Sequence, residues 1–194
     1  MSNAIQIVAI PGSVRPGNFT AKALAIAVDE FTKQSADIQV IDPSLINLPF
    51  PGTNGSTDDA DALKEAVKNA TGVVLSTPEY HGSYSSVIKL VVENLGFPSV
   101  LSGKPVALLG VAAGAIGAVK ALEHLRSVCS HVGAIVLPGP VSIAGVQHFF
   151  DAHGHCTDEK VEQRIRGLAT NLLDYIKQNI CPRLALEQMV RKDD

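Results

Sequence analysis

Ile5-Gln6-Ile7-Val8-Ala9-Ile10-Pro11-Gly12-Ser13-Val14-Arg15-Pro16-Gly17-Asn18-Phe19-Thr20 is the stretch on which the reading of the whole chain turns. Ile5 to Ile10 is a short, nearly all-apolar run stopped by Pro11-Gly12. A run of that length and composition, bounded by turn residues, reads as a strand buried on both faces. A polar, glycine-containing loop follows. Thr20 to Lys33 then sets Leu24, Ile26, Val28 and Phe31 at helical spacing. The opening unit is therefore strand, loop, helix.

The same alternation continues along the chain. Ile38 to Ile41 is a second short run, closed by Asp42-Pro43, and a polar, Pro-rich connection from Leu48 to Gly55 follows. A helix then opens with Asp58, Asp59 and Asp61 in its first turns, where carboxylates suit the positive end of the dipole. Gly72 to Ser76 reads as the third strand, stopped by Thr77-Pro78, and Ser85 to Leu95 as a helix. Pro105 to Val111 is the fourth strand, Ile116 to His131 a helix, and Ala134 to Leu137 a fifth strand closed by Pro138-Gly139-Pro140. Asp158 to Ile180 is a long last helix, and Arg183 to Asp194 is an apolar, then charged, tail expected to be only partly ordered.

Strands that are apolar throughout imply a parallel sheet with helices on both faces. Five of them alternating with five helices match the doubly wound, flavodoxin-like α/β order 2-1-3-4-5. Such a sheet binds its ligand beyond the carboxyl ends of the strands, where the order reverses. The loops after strands one and three flank that point, with the loop after strand four close by.

Bulk properties narrow the class. The 194 residues suit one domain, read as 1–182 with the tail 183–194. A formal net charge of −3 gives no general attraction to nucleic acid or membranes. No apolar run approaches the ~20 residues of a membrane helix. Met1-Ser2-Asn3-Ala4 carries no basic segment ahead of an apolar one, so no secretory leader is expected. Cys129, Cys156 and Cys181 are odd in number and widely spaced, which suits reduced thiols and a cytoplasmic protein.

The two flanking loops carry the chemistry. In the first, Gly12 and Gly17 let the backbone turn and expose its N–H groups, Ser13, Asn18 and Thr20 supply short donors, and Arg15 supplies a fixed charge. At a helix N-terminus this combination favours a phosphate, although Ser, Asn and Thr also serve as ordinary caps. It is neither a P-loop nor the Gly-x-Gly-x-x-Gly fingerprint. The second loop, Thr77-Pro78-Glu79-Tyr80-His81-Gly82-Ser83-Tyr84-Ser85-Ser86, brings two phenol rings and an imidazole into a polar turn, which suits a flat ligand. Packing of Tyr80 and Tyr84, and a rim position for His81, remain open alternatives, as does capping of the next helix by Glu79, Ser85 or Ser86.

Together these loops make the sequence resemble the NADPH-dependent FMN reductase family, which includes chromate, quinone and azobenzene reductases. The family motif Gly-Ser-[Leu/Val]-Arg-x-x-Ser-x-Asn stands here as Gly12-Ser13-Val14-Arg15-Pro16-Gly17-Asn18-Phe19-Thr20, with Asn18 and Thr20 in place of Ser and Asn. The motif Pro-Glu-Tyr-Asn-x-Ser-x-x-x-x-Leu-Lys stands as Pro78-Glu79-Tyr80-His81-Gly82-Ser83-Tyr84-Ser85-Ser86-Val87-Ile88-Lys89, with His81 in place of Asn. The resemblance implies FMN phosphate binding by Ser13, Arg15, Asn18 and Thr20, and contact of Pro78, Glu79, Tyr80, His81 and Gly82 with the flavin ring. It implies a homodimer or homotetramer with FMN near the subunit boundary. It also places the loop after strand four, with Ala113 and Gly114, near the pyrimidine end of the ring. Small residues there equally suit tight helix–sheet packing.

Other chemistries fit less well. His153-Gly154-His155-Cys156 has no evident fourth ligand, so no metal is expected. Ser13 lacks the Gly-x-Ser-x-Gly elbow of a hydrolase. A phospho-receiver would need carboxylates where the third strand ends in Ser76-Thr77-Pro78. The expected protein is an FMN-dependent oxidoreductase that takes hydride from NADPH or NADH at flavin N5 and passes it to a quinone, flavin, azo or metal-ion acceptor. No catalytic side chain is required. A non-enzymatic electron carrier and a flavin-binding regulatory protein are the competing readings.

Overall fold

The structure, a computed structural model, describes residues 5–53 and 55–190. The leader reading at Met1–Ala4 and the charged end Arg191–Asp194 lie outside them. The strands are β1 (Gln6–Pro11), β2 (Asp37–Val40), β3 (Gly72–Pro78), β4 (Pro105–Val111), β5 (Ile135–Val136) and β6 (Val141–Ile143). The helices are α1 (Phe19–Lys33), α2 (Asp58–Asn69), α3 (Ser86–Glu93), α4 (Val119–His131), α5 (Glu159–Tyr175) and α6 (Cys181–Val190).

The sheet is parallel, in the order β2-β1-β3-β4-β5 expected of a flavodoxin-like fold. Its fifth place is filled twice. β5 pairs with β4 at Pro105 and Val106, and β6 pairs with β4 at Leu109 to Val111. Pro138-Gly139-Pro140 interrupts the ladder between them, because proline has no N–H to give. The segment read as one strand from Ala134 to Leu137 is thus shorter, and Val141–Ile143 was not anticipated. β3 also runs two residues further than expected, through Thr77 and Pro78.

Alternate residues of each central strand feed different cores. From β1, Ile7 and Ala9 pack with Leu24, Phe31, Ile165 and Leu172 of α1 and α5. Val8 and Ile10 pack with Leu63, Ile88, Val91 and Leu125 of α2, α3 and α4. Truncating a fully buried Leu75 or Phe31 to alanine would cost about 3–4 kcal/mol. On the α1–α5 seam, Arg166 Nη1 lies 2.6 Å from Asp29 Oδ2 and 3.2 Å from Glu30 Oε2, and its Nη2 lies 2.7 Å from Glu162 Oε1.

Helix starts follow the caps written in the sequence. Asn18, Thr57, Ser85 and Asp158 each accept a first-turn N–H with a side-chain oxygen. α4 has no such residue of its own, since Ala118 stands at its N-cap, and it begins at Val119 rather than Ile116. The chain stays helical beyond α5, through a π turn at Ile176–Ile180 and then α6 to Val190, where a partly ordered tail was expected. No helix among the described residues is long and apolar enough to cross a membrane.

Candidate active site

The loop after β1 is pressed against β3. Gly12 N–H donates to Ser76 O at 2.6 Å. A Cβ at Gly12 would stand 2.7 Å from that carbonyl oxygen and 2.3 Å from Ile88 Cγ1, so only glycine lets the end of β1 seat here. Asn18 then ties the loop to itself. Its Nδ2 donates to Ser13 O at 3.2 Å and Arg15 O at 2.7 Å, while its Oδ1 accepts Ala21 N–H at 2.8 Å. The side chain expected to donate to a phosphate is committed to holding the turn.

What remains available is mainly backbone. The N–H groups of Ser13, Val14, Gly17 and Asn18 find no acceptor among the described residues. Ser13 is buried, and its hydroxyl is 3.5 Å from the Arg15 N–H, too long for a firm bond. Thr20 is buried in the first turn of α1, and its carbonyl accepts Ser76 Oγ at 3.4 Å. Arg15 is exposed. Its Cζ lies 4.9 Å from the centroid of the Tyr80 ring, which joins the first loop to the second.

The loop after β3 is a tight reverse turn. Tyr80 and Ser83 exchange backbone hydrogen bonds at 2.9 and 3.1 Å, with His81 at φ 51° and Gly82 at φ 73° between them. Two consecutive left-handed residues make a type I′ turn, which favours Asn, His or Asp first and glycine second. That explains how His81 can stand where the family motif has Asn: both tolerate this backbone. Thr77 Oγ1 accepts Ser85 N–H at 3.1 Å, and Ser85 Oγ accepts Ile88 N–H at 3.2 Å, closing the loop onto α3. Pro78 is buried, whereas Tyr80 and His81 are exposed.

Glu79 does not cap α3. Its Oε2 accepts Ala121 N–H at 3.0 Å, in the first turn of α4, replacing the cap that Ala118 cannot provide. Ser142 Oγ accepts Ala118 N–H at 2.9 Å, so β6 helps hold the same helix start. Ahead of α4, Ala113 and Gly114 are exposed. Ala113 O accepts Gln147 Nε2 at 3.2 Å, and nothing lies within 4 Å of a Cβ placed on Gly114. Ser142 and Gln147 carried no sequence signal, because each acts on a partner distant in the chain. Ser83 stands in the second motif, and its Oγ is 3.0 Å from His124 Nδ1 on α4.

The geometry thus gathers a donor-rich turn with an arginine, an exposed phenol turn and a small-residue loop at the carboxyl ends of β1, β3 and β4. That donor set fits a phosphate dianion with a flat ring beside it. Residues 5–148 match the family model described as NADPH-dependent FMN reductase. The chain belongs to this family. It is accordingly an FMN-dependent oxidoreductase with NAD(P)H as reductant.

Individual relatives agree. An NAD(P)H-dependent FMN reductase of Pseudomonas aeruginosa is 31% identical over 171 residues, covering 86% of this chain and 92% of its own length. A 2-hydroxy-1,4-benzoquinone reductase of a Burkholderia species is 29% identical over 170 residues, covering 84% and 91%. Among solved structures, the flavoenzyme NAD(P)H:(acceptor) oxidoreductase of Paracoccus denitrificans superposes with a TM-score of 0.77 at 22% identity, over 90% of this chain and 98% of that one. At that identity the superposition bears on fold alone.

Proposed function

We propose that this enzyme reduces a quinone, with the phosphate of FMN in the β1 loop and its ring between the β3 and β4 loops. The observation that carries the reading is Arg15, which stands over the Tyr80 ring with no carboxylate or carbonyl partner among the described residues. Its charge is then available to a phosphate, and the ring beneath it marks the way to the second loop.

FMN, when bound, supplies the ring that accepts hydride from the nicotinamide and releases it to the acceptor. The chain supplies position. Arg15, Ser13 and the β1-loop N–H groups that find no acceptor among the described residues hold the phosphate, while Asn18 fixes the loop's shape. Tyr80, His81 and Gly82 present backbone and ring to one edge of the flavin, and Glu79 anchors that turn to α4. Ala113 and Gly114 leave room for close approach. No side chain is needed as acid or base, because orientation of the two reactants in turn does the work. A quinone is favoured by the benzoquinone reductase among the relatives and by the exposed, mostly uncharged rim of Tyr80, Ala113 and Gly114.

The test is direct. Purified protein loaded with FMN should show a flavin spectrum, oxidise NADPH or NADH, and accelerate when benzoquinone is added, with parallel double-reciprocal lines. A flavin-loaded protein that consumes no reduced nicotinamide would instead be a carrier or a regulatory protein. Phe50 and Phe97 are strongly exposed. Their loops are joined by Asn94 Nδ2 donating to Pro49 O at 3.1 Å, and these features support a homodimer or homotetramer, to be read by light scattering.

A further inference from the structure

The β3 turn is flanked by cations on two sides, and the proposed FMN phosphate accounts for only one of them. Arg15 lies against Tyr80 at its start. At its far side stands α4. Lys120, in the first turn of that helix, runs past Gly82, where a Cβ would meet Lys120 Cδ at 3.7 Å. One helical turn later, His124 Nδ1 is 3.0 Å from Ser83 Oγ. His81 stands beside Gly82 at the tip of the same turn, and all three residues are exposed.

The nearby acids do not neutralise this cluster. Glu79 faces α4 with its carboxylate on the Ala121 N–H. Glu123, three residues beyond Lys120, is exposed. Lys120 makes no ion pair or side-chain hydrogen bond among the described residues, unlike Lys33, Lys68 and Lys89, which each pair with an acid on their own helix. Lys120 also sits where a helix's own field disfavours a cation.

We propose that Lys120 and His124, with His81, form the site for a phosphate of the nicotinamide dinucleotide. This rests on the reading that FMN lies between the β3 and β4 loops. A nicotinamide stacked on that ring must carry its phosphates past the rim, and beyond the β3 turn the rim is lined by these groups. The shared chemistry is a phosphate monoester or diester met by an ammonium and imidazoles. The 2′-phosphate belongs to NADPH alone and the pyrophosphate to both dinucleotides, so the two can be told apart.

The experiment titrates NADP⁺ and NAD⁺ calorimetrically into FMN-loaded wild type, Lys120→Met, Lys120→Arg and His124→Gln, with KM measured for NADPH and NADH. Lys120→Met should weaken binding roughly tenfold, the effect of losing one charge-assisted contact, and Lys120→Arg should restore most of it. His124→Gln, which can still bond Ser83, should weaken it by a smaller factor. Loss confined to NADP⁺ and NADPH assigns the 2′-phosphate, and equal loss for both dinucleotides assigns the pyrophosphate. If FMN is bound and neither dinucleotide is affected, the phosphate site is wrong while the flavin reading stands. If the wild type takes up no FMN, both fall.

Discussion

Arg15 and Lys104 stand at opposite ends of the same sheet and meet opposite treatment. Lys104, just before β4, reaches across to the end of α2 and donates to Lys68 O at 2.8 Å and Ala70 O at 2.6 Å. It closes carbonyls that the last turn of a helix cannot satisfy itself. Around it Gly103 N–H meets Gly133 O at 2.8 Å, and Lys104 O accepts Ile135 N–H at 2.8 Å, so the amino end of the sheet answers its polar groups internally. Arg15, at the carboxyl end, rests on an aromatic face amid N–H groups with no acceptor among the described residues. A cation with two carbonyls is architecture, and one left facing a donor-rich cleft is the mark of a ligand.

Substitutions can break that contrast or sharpen it. Gly12→Val should have the largest effect, about 3 kcal/mol of stability together with loss of FMN uptake, because its side chain would strike the Ser76 carbonyl. Urea unfolding identical to wild type would mean the carboxyl end is not packed as described. Arg15→Ala should raise the FMN dissociation constant about 10- to 100-fold, measured by flavin fluorescence quenching, and leave the unfolding free energy within about 0.5 kcal/mol of wild type.

Lys104→Met should do the reverse, with about 1–2 kcal/mol lost from stability and FMN affinity unchanged. Burial holds the Lys104 pKa below its ordinary 10.5. The unfolded chain then binds this proton more tightly than the folded one, so the charged form costs stability at low pH. Wild type should gain stability relative to Lys104→Met as pH rises from the lowered pKa towards 10.5, read from urea melts across that window. Glu79→Gln keeps an acceptor for the Ala121 N–H but loses charge at the start of α4. It should cost about 0.5 kcal/mol in urea melts and leave FMN affinity unchanged, and weakened FMN binding would show the carboxylate acting on the flavin side as well.

The sequence carried the frame of this molecule for a clear reason. Central strands such as Val106 to Leu109 are buried on both faces, so composition alone marks them, and four helices begin at side chains whose capping is local. What escaped it depends on partners far along the chain. β6 is three residues long and hidden behind two prolines. Glu79 sits in a recognisable motif, yet its partner Ala121 is 42 positions away, and no spacing rule links them. Asn18 was legible as a polar residue at a helix start, but only the folded loop shows that both its donors turn inwards.

That inward knot at Asn18 has a consequence for how quickly and cheaply the enzyme is armed. Three side-chain hydrogen bonds from Asn18 hold the turn, so much of the conformational entropy of ordering it is met when the chain folds rather than on cofactor capture. Apo and loaded protein should then share one β1-loop conformation, with capture limited by diffusion and release by the strength of the phosphate grip.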